Sequence, residues 1–170
     1  MSLILKMTTI LALSLATAAS ANTSQNAERL AAGLQRALSA VSQAVAAAGG
    51  GLNTGGVVNP TPWDMIDDID TDLVESDAFS LPIYVQAGAS LGRAASDADQ
   101  AKLNYLSGNI AFANYKFSSA CVTMGLARSQ VARANSAALL PPAGFLAAFG
   151  PELASVVSEL FSLRISEGCP

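Results

Sequence analysis

LNYLSGNIAFANYKFSSACVTMGLARSQVARANSAA, residues 103–138, decides the fold. Its apolar positions Leu103, Leu106, Ile110, Ala113, Phe117, Ala120, Met124, Ala127, Val131, Ala134 and Ala138 alternate steps of three and four without a miss. That is the period of one face of an α-helix. The flanking Lys102, Ser107, Asn109, Asn114, Lys116, Thr123, Arg128 and Gln130 lack the paired charges of an exposed coiled coil. Tyr105, Phe112, Tyr115, Val122 and Leu126 lie off the seam and are expected to widen the buried face, which makes this the central helix of a bundle.

Ser96 followed by Asp99 has the form of a capping box and places the helix start near Asp97. Unbroken over 97–139, the helix would run about 65 Å at 1.5 Å per residue. A domain of this size has a radius of gyration of about 15 Å. A break is therefore expected, at Gly108 or Gly125.

Downstream, Pro141 and Pro142 end the run, Phe145 to Phe149 predict one turn, and Gly150 with Pro151 introduces a last helix carrying Leu153, Val156, Val157, Leu160, Phe161 and Leu163. Upstream, Ser80 is expected to cap a helix through Tyr84, Ala87 and Leu91, with Pro82 in its first turn. Before it stands an acidic block, Asp64, Asp67, Asp68, Asp70, Asp72, Glu75 and Asp77, on a predicted short helix over 63–78 whose Trp63, Ile66, Ile69 and Leu73 share a face. A Gly/Pro-rich linker spans 49–62, and Leu30, Leu34, Leu38, Val41 and Val45 make 26–48 an amphipathic helix. No convincing strand is present. The fold class is thus an all-α, disulfide-tied bundle of about five helices, with the bundle core over 80–170.

The chain opens as an export signal. Lys6 supplies the positive start, Met7 to Ala18 the apolar run, and Ala19-Ser20-Ala21 the small-x-small junction. Cleavage after Ala21 leaves a secreted, extracellular domain over 22–170. The apolar run after Lys6 falls short of a membrane span, and no later segment is expected to reach one. Loss of Lys6 leaves 8 basic against 13 acidic side chains, so the chain has no basic face for nucleic acid. Charged residues make up 13% of the sequence, against about 25% in an ordinary soluble protein. A surface so poor in charge favours self-association or contact with other apolar material. In an oxidising compartment the even pair Cys121 and Cys169 is expected to close one bridge.

There is no histidine, which removes the usual general base, the Ser-His and Cys-His nucleophile pairs and most zinc sites. Gly49 to Gly56 lacks the Gly-Lys-Ser/Thr ending of a phosphate loop. Asp68, Asp70 and Asp72 imitate the first ligands of a calcium loop, but Leu73 stands where the turn needs glycine and Phe79 where the bidentate Glu belongs. No catalytic residue, metal site or cofactor is expected.

Two roles fit. One is a structural or assembly protein of an extracellular material, self-associating or binding other extracellular proteins. There the acidic block is a pH-responsive or weakly cation-binding cluster that holds molecules apart until it is neutralised. The other is a carrier of an apolar small molecule or lipid between helices, with Phe112, Phe117, Met124, Phe145, Phe149 and Phe161 as candidate pocket lining.

Overall fold

The computed structural model describes residues 2–48, 75–139 and 144–169, with side chains over 23–48, 77–139, 144 and 146–169. Within them lie four α-helices, α1 (Ser2–Ala47), α2 (Glu75–Leu106), α3 (Ile110–Ala138) and α4 (Gly150–Ser166), and one 3-10 turn, Phe145–Phe149. The expected Phe145 turn and the Pro151-led last helix are both present, with Glu152 in the first turn of α4 and Arg164 in its last.

Cross-contacts fix the direction of every helix. Lys102 Nζ pairs with Glu28 and Leu38 packs beside Gly92, so α1 and α2 run antiparallel. Tyr105 donates to Asn114 and Lys116 pairs with Asp97, so α2 and α3 are antiparallel too. Arg29 meets Glu167 and Arg36 meets Glu159, which runs α4 against α1. The result is an up-down-up-down ring in which each helix packs on its chain neighbour and α4 closes on α1.

Each helix contributes one buried stripe: Leu30, Leu34 and Val41 from α1, Leu81, Tyr84 and Leu91 from α2, Phe117, Met124 and Val131 from α3, and Leu153, Leu160 and Leu163 from α4. The α2–α3 contact is the most extensive. Its faces are largely alanine, with Ala94, Ala98 and Ala101 opposite Ala113, Ala120 and Ala127 all buried, so the helix axes approach closely. Gly33 does the same for α1 against α4, because Leu163 fills the space a side chain there would take.

The seam breaks, as expected, at the first of its two candidate glycines. Gly108 takes φ +79, which glycine adopts without strain, and residues 107–109 turn the chain between α2 and α3, while Gly125 stays inside α3. Ser96 and Asp99 cap nothing and lie within α2, which runs back past Ser80 and Pro82 to Glu75. Burial of Ala94, Ala98 and Ala101 against α3 carries the helix through the capping-like sequence. The two helices expected on either side of Ser96 are therefore one, and the count among the described residues is four α-helices rather than about five. Of the predicted 63–78 helix, residues 63–74 lie outside the described residues, as does the 49–62 linker, and Glu75 to Asp77 open α2.

The segment expected to be a leader and the predicted 26–48 helix lie in one continuous helix, α1. One later stretch, Leu146–Ser166, does reach the length and apolarity of a membrane span. Here it lays Leu153, Val156, Leu160 and Leu163 into the bundle and is tied to α3 at its end.

Candidate functional surface

The cysteine pair is where parity placed it. Cys121 of α3 and Cys169, just past α4, form a disulfide with 5.5 Å between their Cα atoms. Cys121 is buried, and the bridge fastens the end of α4 to the middle of α3. A disulfide of this kind belongs in an oxidising compartment.

Three carboxylates are buried as ties between helices. Asp97 accepts from Lys116 Nζ at 2.8 Å and from Ser119 Oγ at 2.7 Å, joining α2 to α3. Glu167 takes Arg29 Nε at 3.0 Å and Ser166 Oγ at 3.0 Å, joining the end of α4 to α1. Asp77, only 1% exposed, accepts the backbone N–H of Leu146 at 3.0 Å, and its carboxylate lies against Gly144. The structure thus places Asp77 inside the protein as the anchor of the 3-10 turn. Asp64, Asp67, Asp68, Asp70 and Asp72 lie outside the described residues, as does the side chain of Glu75. Among the described residues no three Asp, Glu or Cys side chains converge as a metal site.

Near Asp77, the fully buried Tyr84 donates its hydroxyl to Asn135. Burial first, and the Asp77 charge second, push its pKa from 10.0 up to about 12. The folded value lies above the unfolded one, so the stability Tyr84 contributes is whole below pH 10 and is lost as pH rises towards 12. At 1.36 kcal/mol per unit the loss is about 3 kcal/mol. Denaturant melts between about pH 9 and 12 check this, because Tyr84→Phe is expected to lose the steep fall above pH 10.

The pocket-lining candidates do not share an environment. Phe117 and Met124 are buried in the core, Phe149 is half-buried against it, and Phe112 and Phe161 are exposed. The side chain of Phe145 lies outside the described residues. Phe112 stacks on Tyr115 with centroids 6.1 Å apart beneath Lys116, and Arg128 lies over Phe161 at 5.1 Å.

What sequence reasoning missed is the outside of the molecule. Tyr115, Val122 and Leu126, expected in a widened buried face, stand on the outer side of α3 at steps of seven and four, forming one exposed stripe. Leu103, Leu106 and Ile110, read as the start of the core seam, are 63%, 67% and 42% exposed at the α2–α3 turn. In their place Tyr105 turns inward and is buried. One signal was available: from Leu103 to Tyr115 there is not a single charged residue. Ser118 and Ser119 lie between Tyr115 and Val122 on the outer face of α3, and large apolar side chains exposed in one row along a helix mark a contact surface more than ones scattered singly.

Comparison with family models, with curated proteins and with solved structures finds no match, so the functional reading rests on this surface.

Proposed function

We propose that the chain is a secreted, non-enzymatic assembly protein of an extracellular material, working through its apolar outer surface. The observation that carries this reading is the Tyr115, Val122 and Leu126 stripe. It leaves large apolar side chains in water on a helix whose opposite face is already packed with Ala113, Phe117, Ala120 and Met124. A second copy, or another extracellular protein, removes that stripe from water at a gain of roughly 25 cal/mol per Å². The disulfide supports an oxidising destination, and the chain's lack of histidine supports a role without acid–base chemistry.

In this reading the carboxylates from Asp64 to Asp72 set when association happens. Ionised, they repel between molecules; protonated, or neutralised by a divalent cation, they cease to. Sedimentation velocity of the chain from Asn22 at pH 7.5 and at pH 5, with and without calcium, tests this. Association that strengthens at pH 5 or with calcium is expected, and an unchanged monomer in every condition overturns it.

A further inference from the structure

We propose that the outer row of α3 pairs with the same row of a second copy of this chain, the two helices running antiparallel about a two-fold axis at the level of residue 124. This rests on the reading that the α3 stripe is the working surface of the molecule, and it names the stripe's partner.

Spacing comes first. Tyr115, Val122, Leu126 and Arg133 follow one another at steps of seven, four and seven, which puts all four within a strip about 40° wide on the side of α3 opposite the buried Met124. That order of steps reads the same from either end. A two-fold contact between helices joins each residue to the one equally far beyond the axis. With the axis at 124, Val122 meets the partner's Leu126, Ser119 meets the partner's Ser129, and Tyr115 meets the partner's Arg133, each meeting occurring twice. An unrelated protein could cover Val122 and Leu126, but only a second copy makes use of a row that is its own reverse.

Each meeting is also chemically matched. Val122 and Leu126 are 72% and 53% exposed, and each covers the other. The serines let the helices approach, and their hydroxyls are already satisfied: Ser119 Oγ donates to Asp97 at 2.7 Å and Ser129 Oγ to the Leu126 carbonyl at 2.7 Å. Covering them strands no donor. Arg133 is exposed and, among the described residues, joins no ion pair. In the pair it reaches the exposed ring of the partner's Tyr115, a cation against an aromatic face. Gly125, on the flank of the row, has nothing within 4 Å of where a Cβ would stand, so no neighbouring element among the described residues closes over it.

Charge fixes the direction. Arg133 is the one charged residue of the row, and in a parallel pair the two copies of it would face each other. Antiparallel, they stand about 27 Å apart, well beyond the screening length of about 8 Å. The full row, with Ser119 and Ser129 included, alternates steps of four and three, the seam of helices that cross at about 20° and stay in contact along their length. One helix face of this length makes an interface of the smaller, weak class, with a dissociation constant on the order of 10 µM.

Sedimentation equilibrium at pH 5 on the chain from Asn22 tests the pairing through the sign of a single charge. The wild type is expected to level at twice the monomer mass. Tyr115→Glu sets an opposite charge against the partner's Arg133 and is expected to dimerise within about threefold of the wild type, whereas Tyr115→Lys sets a like charge there and is expected to dimerise about tenfold or more weakly. Adding Arg133→Glu to Tyr115→Lys is expected to restore the dimer to within about threefold. Residues 115 and 133 are too far apart on one helix to meet within a molecule, and both are exposed, so thermal melts are expected to stay unchanged. Glu and Lys variants that behave alike, a double variant that is not restored, or a mass that climbs past the dimer overturns the pairing and leaves the assembly reading standing. A wild type that stays monomeric overturns both.

Discussion

Replacing both cysteines, Cys121→Ala with Cys169→Ala, is expected to lower the unfolding free energy by about 4 kcal/mol, the chain-entropy value for a loop closed across 48 residues. In a domain of this size that is a fall of roughly 10–15 °C in Tm. The bridge spans the later part of α3, the 3-10 turn and α4, so its removal frees the whole C-terminal third of the bundle in the unfolded chain. It also acts where packing is thinner, since α4 contacts α1 and α3 less extensively than α2 contacts α3. Hydrogen exchange of the variant is therefore expected to rise first in α4. Denaturant melts of the oxidised wild type and the double variant measure the difference, and a loss under about 1 kcal/mol would mean that packing alone holds α4.

The second large effect is at Asp77. Asp77→Ala leaves the buried Leu146 N–H without this acceptor and opens a space against Gly144, with an expected cost of about 3 kcal/mol. Asp77→Asn keeps an acceptor oxygen in place and is expected to cost far less, with its amide oriented toward Leu146. Both substitutions remove a negative charge near Tyr84, so both are expected to lower the Tyr84 pKa from about 12, by the smaller of its two causes. Ultraviolet titration reads that shift separately from stability. If Ala and Asn destabilise equally, the tie to the 3-10 turn is not what Asp77 contributes.

The disulfide and Asp77 show how unevenly the sequence discloses the molecule. The disulfide was legible because two cysteines in the chain admit one internal pairing. Asp77 was not, because it closes an acidic run whose composition reads as solvated, while its partner is a backbone amide 69 residues away. The last helix was legible from Pro151, Glu152 and Arg164, whose local preferences agree with the fold.

The central seam was legible from Ala113 onward and misleading before it. Leu103, Leu106 and Ile110 keep the three-and-four phase across Gly108 by coincidence of spacing, and a periodic pattern carries no information on whether the chain has turned. The true core phase of α2 runs through Ala94, Ala98, Ala101 and Tyr105. Alanine is nearly silent to hydrophobic periodicity, because it is small enough to sit on either face. The same silence hid the outer stripe: where alanine fills the core side of α3, the larger Tyr115, Val122 and Leu126 look like the residues that ought to be inside. Phe117, Met124 and Val131 share the core side of α3 with the alanines, and the assembly proposal rests on the large apolar groups left outside.

The most direct test of this account is sedimentation equilibrium on the chain from Asn22 beside its Val122→Ser, Leu126→Ser variant at pH 5, across a range of concentrations. The account predicts a wild type whose mean mass rises with concentration and a variant that stays monomeric with an unchanged thermal melt. A monomeric wild type, or a variant that associates as strongly, would contradict it.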